Sequence, residues 1–295
     1  MKRVVLIVNP FATQVDDAAI AAVERALMRA AYVRTVKTER PRHAVELARG
    51  AGDADAVIVF SGDGGFNEVL NGVERNDLPL GFVPGGGTSV LPRTLGLPRE
   101  PEEAAEQLAD ALIHDRVRQI STGRVNGRRF SFSAGIGLDA AAVRRIDERG
   151  RSADGKRPGD LAFVATFGRL VFERRARFDP VLEIAGFGRA AFVLVANVHP
   201  YSFLKALAIQ VAPDAMFEEG LDFLAPRSLT PRTLAPLLYA LATGKPARNA
   251  LRGHDLDRIE VHCDLPLPLH ADGEDLGDVT EAVFEAERKA VSVLV

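Results

Sequence analysis

The stretch Ala56-Val57-Ile58-Val59-Phe60-Ser61-Gly62-Asp63-Gly64-Gly65-Phe66-Asn67-Glu68 sets an unbroken apolar run against a turn of small residues that holds one carboxylate. An apolar run without polar alternation reads as a strand buried on both faces, as in a parallel sheet. At Ser61 it releases the chain into glycines, whose bare backbone N–H groups can approach phosphate oxygens closely. Asp63 would repel an anion met directly. Its place among the donors therefore implies an intervening cation, or a hydroxyl that loses its proton. A second glycine turn, Pro84-Gly85-Gly86-Gly87-Thr88, follows shortly after, and its Thr88 hydroxyl can meet a phosphate or cap the next helix. Together the two turns point to phosphoryl transfer.

Working outward, residues 1–122 alternate strand and helix patterns. Strands are expected at Val4–Val8, Tyr32–Thr38, Ala56–Phe60 and Leu80–Val83, and helices at Asp16–Ala31, Arg42–Arg49, Phe66–Val73 and Glu102–Ile113. The fold class is α/β: an N-terminal parallel, three-layer domain whose ligands lie at the carboxyl ends of the strands, where Asn9, Thr38, Ser61 to Asp63 and Pro84 to Gly86 fall. After residue 122 the texture changes to short β-rich runs, opened by an Asn126-Gly127 turn and interrupted by helical stretches at Asp160–Phe172 and Pro231–Thr243. Residues 123–289 are expected to form a β-sandwich or antiparallel domain, and residues 290–295 a strand returning to the first domain.

The composition excludes several classes. With 295 residues, 47% of them hydrophobic, the chain is long enough for two cores. A formal net charge of -3 gives no global basic field, which argues against a nucleic-acid partner. The single cysteine, Cys263, excludes an internal disulfide framework and implies a reducing, cytoplasmic compartment, with the thiol expected in the core. Val4–Val8 is too short for a signal-peptide core, and no apolar run approaches the roughly 20 residues of a membrane span, so membrane contact is expected to be peripheral, on the inner face.

Near the other end, Leu265-Pro266-Leu267-Pro268-Leu269 carries prolines that exclude a central strand and suggest an extended edge. It leads into His270-Ala271-Asp272-Gly273-Glu274, which reads either as an ordinary Asp-Gly turn or as a site. In the second reading Glu274 takes the proton of an acceptor hydroxyl and Asp272 orients it. His270 reads as a surface or packing residue. Glu68 reads equally as a ligand contact or as a complement to its own helix dipole.

These patterns together resemble the diacylglycerol kinase and sphingosine kinase superfamily, and most closely its soluble bacterial lipid kinases. A GGDGT-type loop followed by Asn-Glu is similar to Ser61–Glu68, a PxGT element to Pro84–Thr88, and a GIGxDA element to Gly135–Ala140. The resemblance implies an ATP-dependent lipid kinase of phospholipid metabolism, with a diacylglycerol-like acceptor and a homodimer as a compatible assembly. It places ATP against Asn9, Thr38, Gly62, Asp63, Gly64, Gly65, Asn67, Glu68 and Thr88, and makes Glu274 the proton acceptor. A structural Mg2+ is implied at Pro213–Leu221, held by the Met216 and Leu221 carbonyls and the Glu219 carboxylate. The chain departs from the pattern at Gly65, where the family has Thr, at Ser89-Val90, where it often has Asn-Asp, and at Glu219, where it has Asp.

The segment Arg144–Arg177 holds ten Lys or Arg residues against five acids, interleaved with Phe163, Phe167 and Phe172. It reads as a solvated helical face or as a docking surface for an anionic leaflet. Two other functions fit parts of the sequence. An NAD kinase-like or other soluble-metabolite kinase shares the glycine turn, and a catalytically silent lipid-binding regulator fits Gly65 and Ser89-Val90.

Overall fold

Apolar runs without polar alternation build the first sheet. In the computed structural model, which describes residues 1–148, 160–204 and 207–295, β1 (Lys2–Val8), β2 (Ala31–Lys37), β3 (Ala56–Ser61) and β4 (Leu80–Pro84) run parallel in the order β2-β1-β3-β4. Every residue of β3 is buried, as its sequence requires. Five helices accompany this sheet: α1 (Asp17–Met28), α2 (His43–Arg49), α3 (Asp63–Gly72), α4 (Val90–Thr94) and α5 (Pro101–Ile113). Asp16 caps α1 by accepting from the Ala19 amide at 2.8 Å, which satisfies one of its otherwise unpaired N–H groups. α1 packs on α5 and α2 on α3, so two helix pairs flank the sheet. These elements form one compact unit, Met1–Ile120 together with Lys289–Val295.

The second unit, Ser121–Arg288, is mostly antiparallel. β5 (Val117–Val125) leads into it and pairs with β6 (Arg128–Phe130) through the expected Asn126-Gly127 turn, both residues at positive φ. There follow β7 (Ser133–Ile136), α6 (Leu138–Glu148), α7 (Asp160–Glu173), β8 (Leu182–Ile184), β9 (Gly188–Ala190), β10 (Val193–Ala196), β11 (Ser202–Leu204) and β12 (Leu207–Ile209). The last elements are β13 (Leu221–Pro226), α8 (Pro231–Thr243), β14 (Ala250–Leu256), β15 (Arg258–Ala271) and β16 (Glu274–Leu294). Neighbours run in the order β14-β13-β10-β7-β15-β16 around a core that includes Phe130, Ile136, Val193, Phe223, Val261 and Phe284. The expected α/β class holds, with a parallel sheet flanked by helices followed by antiparallel strands.

The proline segment has the expected edge character: Leu267 and Pro268 pair with β16, while on the other side β8 covers only Val261–Cys263 and β7 only Leu269–Ala271, so β15 is central on either side of the prolines but not at them. The sheet tolerates the prolines because the register with β16 shifts between His262 and Leu267 and again between Pro268 and His270, where ladder donors are not required. The final apolar run is the end of the 21-residue β16, and its Val293 pairs in parallel with Leu80. Cys263 is half-buried rather than deep in the core, and burial pushes its thiol up to about 11, so it stays protonated. Among the described residues no helix is long and apolar enough to cross a membrane.

Glu287 ties β5, β6 and β16 together. Its carboxylate accepts from Arg124 Nη2 at 2.7 Å, Arg129 Nε at 2.6 Å and Thr122 Oγ1 at 3.2 Å. Burial alone would raise its pKa, but the hydrogen bonds from Arg129 and Arg124 outweigh burial and hold it below the usual range. A depressed carboxylate contributes stability above its unfolded pKa and loses it as pH falls through the folded value. Glu287→Gln should therefore cost on the order of 1–3 kcal/mol in denaturant unfolding at neutral pH. The gap to the native chain should close in the acid range below the unfolded Glu pKa, and a pH-independent gap would remove this account.

Candidate active site

The register of the parallel sheet lines up the four strand exits. Val8 pairs with Lys37 and with Phe60, and Ser61 with Pro84, so Thr38, Asn9, Ser61 and Pro84 stand side by side on one edge. The ladder continues past the strands. The Thr38 amide donates to Val8 O at 2.8 Å, Asn9 to Phe60 O at 2.9 Å and Gly85 to Ser61 O at 2.7 Å. The Asn9 side chain bridges inward, with Nδ2 donating to Ser61 Oγ at 3.2 Å and Oδ1 accepting from the Phe11 amide at 3.1 Å. Sequence reasoning placed these residues at strand ends, and the structure makes them neighbours.

The two glycine turns meet backbone to backbone. A Cβ on Gly86 would lie 2.9 Å from Gly62 Cα, so a side chain at this position cannot be accommodated without moving the main chain. The first turn is shorter than the sequence suggests, because α3 begins at Asp63 with Gly62 as its N-cap. The helix start brings its positive dipole end to the turns. Asp63 Oδ1 accepts from the Leu91 amide at 3.3 Å, which links α3 to α4. Thr88 belongs to the second turn, and its carbonyl accepts from Arg93 Nη1 at 3.5 Å. Ser89 adopts φ 47° and donates through Oγ to Gly86 O at 3.1 Å.

Two expected contacts are engaged within the fold itself. Glu68 does not serve its own helix: its carboxylate accepts from the amides of Arg42 at 2.9 Å and Ala44 at 3.2 Å, capping α2, which has no cap of its own. Asn67 is fully buried and accepts from Asn71 Nδ2 at its main-chain oxygen, 2.8 Å, and its side-chain oxygen, 3.1 Å. Gly65 explains its own departure from the family pattern. A Cβ there would stand 2.7 Å from Ser61 Cβ and overlap Ser61 Oγ, so the Ser61 side chain fills the space that a threonine at 65 would take.

In the second unit Asp272 and Gly273, at φ 46° and 75°, form a two-residue hairpin turn, with Ala271 and Glu274 as the closing pair. Asp272 is buried, and its carboxylate accepts from the Ser131 amide at 2.7 Å, Ser131 Oγ at 2.9 Å, the Phe132 amide at 3.0 Å and the Ser133 amide at 3.2 Å. It thereby fixes the turn that carries Glu274. Glu274 is partly exposed and pairs with Arg128 Nη2 at 2.5 Å.

Behind the turn lies a buried polar group that sequence reasoning did not assemble. Asp139 Oδ2 accepts from Tyr201 Oη at 2.7 Å and lies 2.7 Å from His270 Nε2, while His270 Nδ1 has no hydrogen-bond partner among the described residues. Burial and the neighbouring Asp139 push the Tyr201 phenol well above its usual range, so it remains a donor. The signal for Asp139 was present in Gly135–Ala140, but nothing near it in sequence pointed to Tyr201 or to Arg128. His270 is an interior residue, held by Asp139.

The Pro213–Leu221 turn fits a hard cation in one respect. Glu219 Oε2 is buried without a hydrogen-bond partner, and its nearest cationic atom, His254 Nε2, is 3.9 Å away. The Met216 carbonyl accepts from the Glu219 amide at 3.1 Å and retains a second lone pair. Leu221 pairs with Leu256 at the start of β13. Among the described residues no cluster of three or more His, Cys, Asp or Glu could hold a metal, so any ion here would depend on carbonyl oxygens.

Residues 3–125 match the model of the diacylglycerol kinase catalytic domain. Over 155 residues the chain is 31% identical to a Streptococcus pneumoniae protein named "Putative lipid kinase", with 50% of this chain and 51% of that protein covered. Over 143 residues it is 36% identical to the diacylglycerol kinase of Bacillus subtilis, with 46% of each covered. The chain thus spans about half the length of the curated relatives it matches. A crystal structure titled as a "putative diacylglycerol kinase" from Bacillus anthracis shares the fold, with a TM-score of 0.79 over 99% of this chain and 95% of that chain at 21% identity.

The Ser61 and Gly65 positions should behave as a coupled pair. Gly65→Thr alone is expected to lose about 1–3 kcal/mol in denaturant unfolding through overpacking against Ser61. Adding Ser61→Gly should recover most of that loss, and a double variant no more stable than the single one would refute the pairing.

Proposed function

We propose that this chain is an ATP-dependent lipid kinase that transfers the γ-phosphoryl group to the hydroxyl of a diacylglycerol-like lipid. The observation that carries the reading is the contact of Gly62 with Gly86 beside the start of α3, which brings two glycine turns together at the positive end of a helix. Glycine turns at a helix start suit a triphosphate. Asn9, Thr38, Gly62, Gly64, Gly65 and Thr88 contact the nucleotide directly, and Asn67 and Glu68 hold the loop from behind. Asp63 positions the nucleotide's magnesium or polarises the acceptor.

In the transfer step the lipid hydroxyl oxygen bonds to the γ-phosphorus as the bond to the β–γ bridging oxygen breaks, and ADP leaves with that oxygen. The hydroxyl proton passes to Glu274, whose carboxylate is oriented by Arg128 and by the turn that Asp272 fixes. Magnesium, when bound, neutralises charge developing on the phosphate oxygens. A second, structural Mg2+ is assigned to the Met216 and Leu221 carbonyls and Glu219, supported by the unpartnered Glu219 Oε2. Contact with a membrane surface is peripheral. Phosphate labelling of a lipid extract, with no labelling of NAD, would support the lipid reading over a soluble-metabolite kinase.

Asp63→Asn and Glu274→Gln should each lower lipid phosphorylation by about 100-fold or more while leaving thermal unfolding near the native midpoint. Near-native turnover in either variant would remove the role assigned to that residue. Without nucleotide, saturating Mg2+ should raise the melting temperature of the native chain, by about 2.7 kcal/mol of stabilisation at a hundredfold excess over Kd, and Glu219→Ala should abolish the rise. An equal rise in both proteins would place the ion elsewhere.

A further inference from the structure

The helix α8 exposes a stripe formed by Arg232, Ala235, Pro236, Leu238, Tyr239 and Ala242, while Leu237 and Ala240 are buried on its other side. Leu238 is 49% exposed and Tyr239 55%, on a helix with no acidic residue. The whole run from Phe223 to His254 contains five Lys or Arg and no Asp or Glu. Lys245 Nζ sits 3.1 Å from Tyr239 Oη and 5.6 Å from the ring centroid, so an aromatic ring and a cationic tip emerge together.

An isolated antiparallel bridge between Phe178 and Leu229 joins the chain just past α7 to the chain just before α8. The end of α7 carries Phe172, 83% exposed, followed by exposed Arg174, Arg175 and Arg177. Glu173 is already taken by Arg145 and Arg169, which leaves Asp179 as the one further acid of that run. Arg174, Arg175, Arg177, Arg232, Lys245 and Arg248 have no carboxylate partner among the described residues. Elsewhere in this unit, Arg124, Arg129, Arg144, Arg189, Arg258 and Arg288 all do. Four further basic residues of the segment singled out in the sequence, Arg149, Arg151, Lys156 and Arg157, lie outside the described residues.

We propose that the surface joining the end of α7 to α8 docks on an anionic lipid leaflet, with Phe172, Leu238 and Tyr239 entering the interface and the unpaired cations meeting headgroup phosphates. The inference rests on the proposed function in one respect only, that it names how a lipid-borne acceptor is reached. Three observations select the leaflet. Exposed apolar side chains flanked by cations are what an interfacial helix presents, and Tyr and Lys place apolar stems below a polar tip. A second copy of this chain meeting the same face would set like charges against each other. A nucleic-acid backbone would match the cations and leave the apolar stripe in water.

Co-sedimentation tests this with vesicles of phosphatidylcholine alone and of phosphatidylcholine mixed with phosphatidylglycerol. The native chain should bind the mixed vesicles, bind the neutral ones weakly or not at all, and lose binding as salt rises. Arg232→Glu with Arg248→Glu, and separately Leu238→Asp with Tyr239→Asp, should each lower binding about tenfold or more with an unchanged melting temperature. Binding indifferent to phosphatidylglycerol, or both double variants binding like the native chain, would overturn the proposal. A fall in solution mass in the Leu238→Asp, Tyr239→Asp variant would assign the surface to a second copy. Phosphorylation of a short-chain, water-dispersed diacylglycerol separates the two readings. Turnover without vesicle binding removes the docking surface alone, and vesicle binding without turnover counts against the kinase reading alone.

Discussion

Contact between the main chains at Gly62 and Gly86 is the constraint on which the first unit's site depends. Adjacent parallel strands lie about 4.8 Å apart, and the chains leaving β3 and β4 keep that closeness past the end of the ladder. Because no Cβ intervenes, the two turns pack main chain to main chain, and α3 starts within a residue of the contact. The sterics therefore have an electrostatic consequence: both turns stand at the positive end of a helix. Ser61 belongs to the same economy. Its side chain fills the space beside Gly65 and accepts from Asn9, so the strand exit holds a hydroxyl near where the family pattern has a threonine.

The second unit uses buried polar groups where the first uses bare backbone. Asp272 has four donors on its two oxygens, so its carboxylate is a tie between the hairpin and residues 131–133. Asp139 does the same for Tyr201 and His270 across separations of 62 and 131 residues. Buried networks of this kind specify one arrangement, because any other leaves a carboxylate unsatisfied in a low-dielectric interior. They also separate the two carboxylates of the Asp272-Gly273-Glu274 turn by role. Asp272 is enclosed, while Glu274 is within reach of solvent and so of a ligand.

What the sequence revealed follows from the range of the forces involved. The β3 run, the α8 boundaries and the Asn126-Gly127 hairpin depend on neighbours in the chain, and all three were legible. α4 was hidden by Pro92 within a five-residue helix, and α6 by following a glycine turn in what read as a β-rich half. Pro266 and Pro268 fall where β15 shifts register and has a strand partner on one side at most, so the rule against proline in a central strand held for them. Glu68 read as a ligand contact or as a complement to its own helix dipole; its capping of α2 was hidden, since only the packing of α2 on α3 brings the Arg42 and Ala44 amides to it. Arg128 and Glu274, like His270 and Asp139, are far apart in sequence, so no local spacing could pair them.

The fate of the carboxylates near the two turns bears on how a phosphate could be held. Glu68 spends both oxygens on α2, and the position where the family often has Asp is Val90, only 2% exposed and part of the packed interior. Among the glycine turns and the first turns of α3 and α4, Asp63 is the one acid, and its Oδ1 accepts from the Leu91 amide. A cation bridging phosphate to protein on this side would meet one carboxylate of these turns rather than two, with other ligands from water and phosphate. That is the coordination magnesium favours, since it gives up its waters reluctantly. With Val90 at the second position, any magnesium held at these turns would rest on Asp63 for protein charge.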